Sequence, residues 1–138
     1  MRIERQDYEE YLRRFNARDY DGVFDFFVEH PHIAFFGITI RSREELKRFY
    51  GFLHAHASET ITLERFASSD DLVALEAVVR IEGLRDLSAE KLAAAGYDRL
   101  NPIAQGQVIE MRQMIHYDVV DGKFAGVEVL GKAAGRGA

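Results

Sequence analysis

The chain has 138 residues, 47% of them hydrophobic and 30% charged, as expected for one globular domain with a single core. Its formal net charge of −5 argues against a nucleic-acid partner, because phosphates are bound through basic surfaces. The absence of cysteine excludes disulfides and thiolate chemistry, and no apolar run approaches the length of a membrane span. These properties predict a cytoplasmic protein without a membrane partner.

Three helices are predicted in the first part of the chain. Residues 5–17 show helical spacing of apolar side chains, and Asp19 is predicted to cap a second helix that Pro31 ends. Ser42 and Glu45 form the capping-box pattern that opens the third helix. The predicted core-facing residues of the three helices are Tyr8, Tyr11, Leu12 and Phe15; Tyr20, Val23, Phe24 and Phe27; and Leu46, Phe49, Tyr50 and Leu53.

Strand patterns follow. Residues 33–40 are apolar and β-branched or aromatic, which predicts a short strand pair or one bent strand. Residues 60–67 and 72–83 alternate in polarity and are joined by a polar turn, so they are predicted to pair as antiparallel strands. Asp121 and Gly122 lie between two alternating runs, the pattern of a type I′ turn, and predict a hairpin over residues 107–130.

Two segments fall outside this pattern. Residues 84–105 interrupt the strands and carry a short predicted helix over 89–95, so we expect a flap over the mouth of a pocket. Residues 131–138 have nothing to bury and are predicted to be a disordered tail. The single domain therefore covers residues 1–130. Helices followed by antiparallel strands, with the helices on one face of the sheet, predict an α+β fold.

Residues 11–19 (first helix and turn), 42–50 (third helix) and 115–124 (closing hairpin) resemble the nuclear transport factor 2-like superfamily, specifically its SnoaL-like and steroid-isomerase-like branches. The resemblance covers about residues 5–130, apart from 84–105. It implies a cystatin-like α+β barrel, in which a strongly curved, cone-shaped sheet wraps around the helices and encloses one apolar pocket, usually in a homodimer. The superfamily includes isomerases, dehydratases, cyclases, epoxide hydrolases and non-catalytic proteins, so the fold does not choose among them.

The resemblance also implies candidate site residues. Tyr11 stands where the steroid isomerases keep a tyrosine that donates to the developing oxyanion. Met114 replaces their second donor, an aspartic acid, and His32 is a loose positional match for their general-base aspartate. Steroid isomerisation by that mechanism is therefore not expected. For Tyr11 the alternative is an ordinary core tyrosine whose hydroxyl reaches water.

For the strand before the Asp121 turn, hydrophobicity and the family resemblance predict different inward faces. Hydrophobicity alone predicts that the more apolar face points inward. This face carries Ile109, Met111, Ile115, Tyr117 and Val119. The family spacing instead turns inward the face with Glu110, Arg112, Met114, His116 and Asp118. Following the family, we expect His116 (or His32) to be the general base and Arg112 to anchor a polar substituent. The alternative is a histidine on the surface or in a dimer interface.

The predicted pocket is lined by Phe15, Phe27, Phe36 and Phe49, with Met114 and Arg112 also contacting substrate. His30 and His32 could direct two imidazoles to one side, but no third ligand stands at a recognisable spacing, so neither a metal nor another cofactor is expected. The leading hypothesis is a small-molecule enzyme of the SnoaL-like type that acts on an apolar cyclic or polyketide-like compound by proton transfer. It would be an isomerase, dehydratase or cyclase, that is, an isomerase or lyase by reaction class. The alternative is a non-catalytic homodimer that binds a small hydrophobic molecule.

Overall fold

Helices cover one face of a curled, unclosed sheet in the computed structural model, which describes residues 2–133. The helices are α1 (Arg5–Asn16), α2 (Tyr20–Phe24), α3 (Arg43–His56) and α4 (Ala89–Ala95). The strands are β1 (Phe27–Phe35), β2 (Ile38–Ile40), β3 (Ala57–Ser68), β4 (Leu72–Gly83), β5 (Val108–Val120) and β6 (Lys123–Ala133). The α+β prediction is confirmed. No helix in the described part of the chain is long and apolar enough to cross a membrane.

The six strands are ordered β2-β1-β6-β5-β4-β3. Strands β3 to β6 form an antiparallel meander, and β1 and β2 are also antiparallel to each other. The pair β1 and β6 is parallel, so the sheet is not antiparallel throughout as predicted. The reason is the path of the chain: α3 carries it from β2 to the far edge of the sheet, and three antiparallel steps then return β6 in the direction of β1.

Local sequence signals fix several element ends. The Ser42 hydroxyl accepts a hydrogen bond from the Glu45 amide at 3.2 Å and begins α3. Asp121 and Gly122 both have positive φ, 51° and 75°, as a type I′ turn requires. The Ser88 hydroxyl caps α4 by accepting from the Lys91 amide at 3.2 Å. The predicted start of α3 at Ser42 and the predicted turn at Asp121 are confirmed. The capping box is incomplete, because the Glu45 carboxylate accepts from the Arg41 amide instead of the Ser42 amide.

The second helix is shorter than predicted. It ends at Phe24, and β1 already begins at Phe27, because the run of Phe and Val after α2 gains backbone pairing with β6 at Phe124. Pro31 therefore lies inside a strand. Its missing N–H falls where the β1–β6 register shifts, between Phe27 and His32, so it does not interrupt a regular ladder.

The predicted tail is also partly ordered. Residues 131–133 belong to β6, where Gly131 pairs with Gln113 and Ala133 pairs with Met111. Backbone pairing with the long β5 orders this stretch without any need for apolar side chains. The remainder of the predicted tail, residues 134–138, lies outside the described residues.

The 84–105 segment contributes directly to the hydrophobic core. Its buried side chains are Leu87, Leu92, Tyr97 and Ile103, with exposed fractions of 2%, 1%, 6% and 6%. Leu87 and Ile103 also exchange backbone hydrogen bonds of 2.8 and 3.1 Å, which close the segment into a compact loop. The segment is thus anchored to the body of the domain, while residues 99–101 border the cavity described next.

Candidate active site

A cavity of about 630 Å³ lies between the helices and the inner face of the sheet. Its wall is mainly apolar. The aromatic lining residues are Tyr8, Tyr11, Phe15, Phe27, Phe35, Phe36, Phe49, Tyr50 and Tyr117. Aliphatic side chains from β1, α3, β3, β4, β5 and β6 fill the spaces between them. A cavity of this size and composition suits a multi-ring organic molecule.

Glu59 places a carboxylate in this apolar wall. It is the third residue of β3, and only 8% of its surface is exposed. It is the only acidic residue among the described lining residues. A buried carboxylate is costly unless it is hydrogen-bonded, so its partners matter for what it can do.

Glu59 is hydrogen-bonded to His54, which is in turn hydrogen-bonded to Tyr20. His54 Nε2, at the end of α3, lies 2.7 Å from Glu59 Oε1, and His54 Nδ1 lies 2.7 Å from the Tyr20 hydroxyl. An ionised carboxylate only accepts hydrogen bonds, so the proton between His54 and an ionised Glu59 resides on Nε2. The His54 side chain is 5% exposed, which keeps the pair away from bulk water. The hydrogen bond is made by Oε1, and no hydrogen bond to Oε2 of Glu59 is found within residues 2–133.

Tyrosine hydroxyls gather at the same end of the cavity. The Tyr8 and Tyr117 hydroxyl oxygens lie 2.6 Å apart, and the Tyr11 ring packs against both residues, with ring centres 5.0 and 6.2 Å away. Burial raises the pKa of Tyr11 well above 10.0, with further contributions from Tyr117 and the charge of Glu59. Burial also raises the pKa of Tyr50, and the charge of Glu59 is the second cause. These phenols stay protonated at neutral pH and can donate hydrogen bonds.

The mouth of the cavity is formed by its exposed lining residues, Phe36, Gly37, Arg99 and Asn101. Phe36 and Gly37 form the turn between β1 and β2, with φ of 47° and 81°. Arg99 and Asn101 come from the 84–105 segment. Two separate parts of the chain therefore meet at the opening.

Five of the predicted site residues do line the cavity: Tyr11, Phe15, Phe27, Phe36 and Phe49. Tyr11, Phe15 and Phe49 lie on the predicted stripes of α1 and α3, which is confirmed. Phe27 was predicted on the second helix but lies in β1, and Phe36 lies in the turn after β1. Tyr11 is 8% exposed, and its ring faces the aromatic cluster.

The other four predicted site residues lie outside the cavity, so their predicted placement is wrong. His116, Arg112 and Met114 are exposed on the outer face of β5, where Arg112 pairs with Glu64 at 3.3 Å. His32 is exposed on β1. The reason is hydrophobicity: the apolar face of β5 points inward, and its inward residues include Ile115 and Tyr117, with exposed fractions of 4% and 3%.

Glu59 and His54 were not among the predicted site residues. Glu59 stands in the alternation Ala57, Glu59, Ile61 and Leu63, and so puts a carboxylate on the otherwise apolar face of a strand. That pattern was the available signal. His54 carries no such signal, because only the fold brings it beside Glu59. Within the described residues, no group of three His, Asp or Glu side chains is arranged to hold a metal ion.

A family model identifies the family of this chain, and solved structures share its fold. The family model of the SnoaL-like domain matches residues 8–127. A candidate polyketide cyclase from Silicibacter sp. TM1040 superposes with a TM-score of 0.73 at 19% identity, covering 91% of this chain and 85% of that one. A second, from Xanthomonas campestris pv. campestris, gives 0.69 at 20% identity, covering 88% and 84%. An LEH-like epoxide hydrolase of M. tuberculosis superposes with a TM-score of 0.65 at 12% identity, covering 91% of this chain and 79% of that one. A search of the curated proteins finds no match.

Proposed function

We propose that this chain, which belongs to the SnoaL-like family of the nuclear transport factor 2-like superfamily, is a cofactor-independent enzyme that moves protons on an apolar cyclic or polyketide-like compound. One observation carries the proposal: the Glu59 carboxylate enters an apolar cavity beside the protonated phenols of Tyr11 and Tyr50. A base and hydrogen-bond donors facing one enclosed space are the parts that proton transfer next to a carbonyl needs. The candidate polyketide cyclases among the structural neighbours support the same substrate class.

The reaction begins at a carbon next to a ketone. Glu59 Oε2 removes the proton, and the electrons of the C–H bond move into an enolate whose oxygen accepts a hydrogen bond from Tyr11. Protonated Glu59 then returns the proton to another carbon in an isomerisation, or to a departing hydroxyl in a dehydration. In a cyclisation the enolate carbon attacks a second carbonyl group, and the new alkoxide takes the proton.

His54 and Tyr20 are positioning residues in this scheme. Hydrogen bonds of 2.7 Å on both imidazole nitrogens hold the His54 ring, which in turn fixes the Glu59 carboxylate by its Oε1. The apolar walls exclude water from the carboxylate, which strengthens its interaction with a bound substrate.

The test measures α-proton exchange directly. Ring-fused ketones such as tetralone and tetrahydrophenanthrenone are incubated with the protein in deuterium oxide, and deuterium incorporation is followed by mass spectrometry. Glu59→Gln should lower the exchange rate by about 100-fold or more, because a positioned general base typically contributes that much. The matched control is His116→Ala on the outer face of the sheet, which should exchange at the wild-type rate.

Each outcome is decisive. If Glu59→Gln exchanges as fast as the wild type, Glu59 is not the base. If the wild type binds these ketones but exchanges none of them faster than buffer, the protein is a binder of hydrophobic molecules, which is the alternative function of this cavity.

We also propose that two copies pair through the outer face of the sheet. Met114 and Leu130 are cross-strand neighbours there, 43% and 71% exposed, and Val108 on the same face is 45% exposed. Exposed apolar side chains clustered on one sheet face favour a partner surface over water.

A further inference from the structure

The mouth of the cavity carries a positive charge that the proposed chemistry does not use. Arg99 is the only cationic residue among the described lining residues, and it takes part in no ion pair within residues 2–133. The acidic lining residue, Glu59, is buried, whereas Arg99 is exposed. The cavity is therefore electrostatically polar, with a carboxylate inside and a guanidinium at the opening.

Close packing guides the Arg99 side chain along the mouth. A Cβ atom on Gly37 would lie 2.7, 2.8 and 3.1 Å from Cβ, Cγ and Cδ of Arg99, so any larger residue at position 37 would displace it. The positive φ of Gly37, 81°, is also one that other residues rarely adopt. The β1–β2 turn thus leaves room for the arginine at the rim, where its aliphatic part packs and its charged end keeps its solvation.

Neutral polar side chains accompany it in the lining. Asn101 is exposed two residues further along the same segment, and Gln113 is a half-buried lining residue on β5. Away from these three residues and Glu59, the described lining consists of aromatic, aliphatic and glycine residues. A ligand's polar group has few places to go, and an anionic group is repelled from the Glu59 end.

We propose that Arg99 is a specificity-determining residue that binds a peripheral carboxylate of the ligand, so that the substrate is an apolar ring system carrying one acidic group. The rings fill the cavity, and the carboxylate stays at the mouth on the guanidinium, whose paired N–H donors match its two oxygens. This orientation directs the opposite end of the molecule toward Glu59 and Tyr11. The inference rests on the proposed function for its substrate class, but it concerns binding alone.

The test compares two fluorescent probes that share one ring system, pyrenebutyric acid and pyrenebutanol. The wild type should bind the acid more tightly. Arg99→Gln should weaken binding of the acid by about tenfold and leave the alcohol unchanged, because a hydrogen-bonded charge of this kind contributes roughly one order of magnitude to affinity. Arg99→Lys keeps the charge but not the paired N–H donors of the guanidinium, so its affinity for the acid should lie between those of the wild type and Arg99→Gln. The matched control is Arg85→Gln, an exposed arginine of the same segment outside the cavity lining, which should bind both probes as the wild type does.

Three results would overturn the proposal: an unchanged preference in Arg99→Gln, equal losses for acid and alcohol, or equal loss of acid binding in Arg85→Gln, which would indicate a general effect of net charge. None of them depends on catalysis. A wild type that exchanges deuterium but binds the acid no more tightly than the alcohol would refute this inference alone. A wild type that prefers the acid but exchanges no deuterium would refute only the proposed reaction.

Discussion

The hydroxyl pair of Tyr8 and Tyr117 in the cavity wall offers a test at the residue scale. Tyr8 is fully buried and Tyr117 is 3% exposed, and their oxygens lie 2.6 Å apart. Tyr8→Phe leaves the Tyr117 hydroxyl without its partner, so the free energy of unfolding should fall by about 1–3 kcal/mol. The double variant Tyr8→Phe/Tyr117→Phe should cost less than the sum of the single changes, because neither hydroxyl is then left unpaired. Urea denaturation of the four proteins measures this, and strict additivity would contradict it.

The buried tyrosines also predict how stability depends on pH. Burial raises the pKa of Tyr8, Tyr11, Tyr50 and Tyr117 well above the ordinary 10.0. The unfolded chain therefore loses these protons first, and the free energy of unfolding should fall as the pH rises above about 10. Below that pH these groups contribute no pH dependence.

The measurement is alkaline titration followed by tyrosinate absorbance and circular dichroism together. Most of the tyrosinate signal should appear with the loss of secondary structure. Smooth ionisation of all the tyrosines while the fold persists would show that the hydroxyls are not buried.

At the scale of elements, the sequence predicted the features that depend on neighbouring residues and failed for those that depend on distant ones. The cap at Ser42, the turn at Asp121 and the stripe with Tyr11 and Phe15 all lie where local rules put them, because each depends only on near neighbours. The shortened α2 and the parallel β1–β6 pair depend on partners far along the chain. So does the contact of His54 with Glu59, and no short-range pattern contains it.

For strand β5, the alternation of apolar residues predicted the inward face correctly and the family spacing did not. The family spacing turned His116 inward, whereas simple alternation turned Tyr117 inward, and the structure agrees with alternation. A one-residue change of phase exchanges the two faces completely, so burying His116 would expose Ile115 and Tyr117 to water. That cost outweighs a positional analogy between distant relatives.

The 84–105 segment gives a prediction at the same scale. Leu92 of α4 is 1% exposed and packs in the core, so Leu92→Ala should lower the free energy of unfolding by about 2–5 kcal/mol. Leu84 belongs to the same segment but is 49% exposed, and Leu84→Ala should change stability by about 0.5 kcal/mol or less. Denaturant unfolding measures both. A small effect of Leu92→Ala would mean that the segment is a detachable flap, as its sequence alone predicted.

At the scale of the whole molecule, we propose that the outer face of the sheet is the interface between two copies of the chain. A homodimer formed there leaves the cavity mouths free, because Arg99 and Phe36 belong to the cavity lining and the apolar outer residues Val108, Met114 and Leu130 do not. A stable interface of this kind buries at least about 1,000 Å² in total. Sedimentation equilibrium at micromolar concentration should therefore give twice the 15.8 kDa mass of the chain.

A charge placed within the interface tests where it lies. In Leu130→Glu the carboxylate would be buried against the partner copy without a cation, so the protein should sediment as a 15.8 kDa species. Leu84→Glu is the matched control, since Leu84 is similarly apolar and exposed but lies beyond the end of β4. It should remain dimeric. A wild-type protein that sediments as one chain would refute the dimer, and a Leu130→Glu variant that stays dimeric would move the interface to another surface.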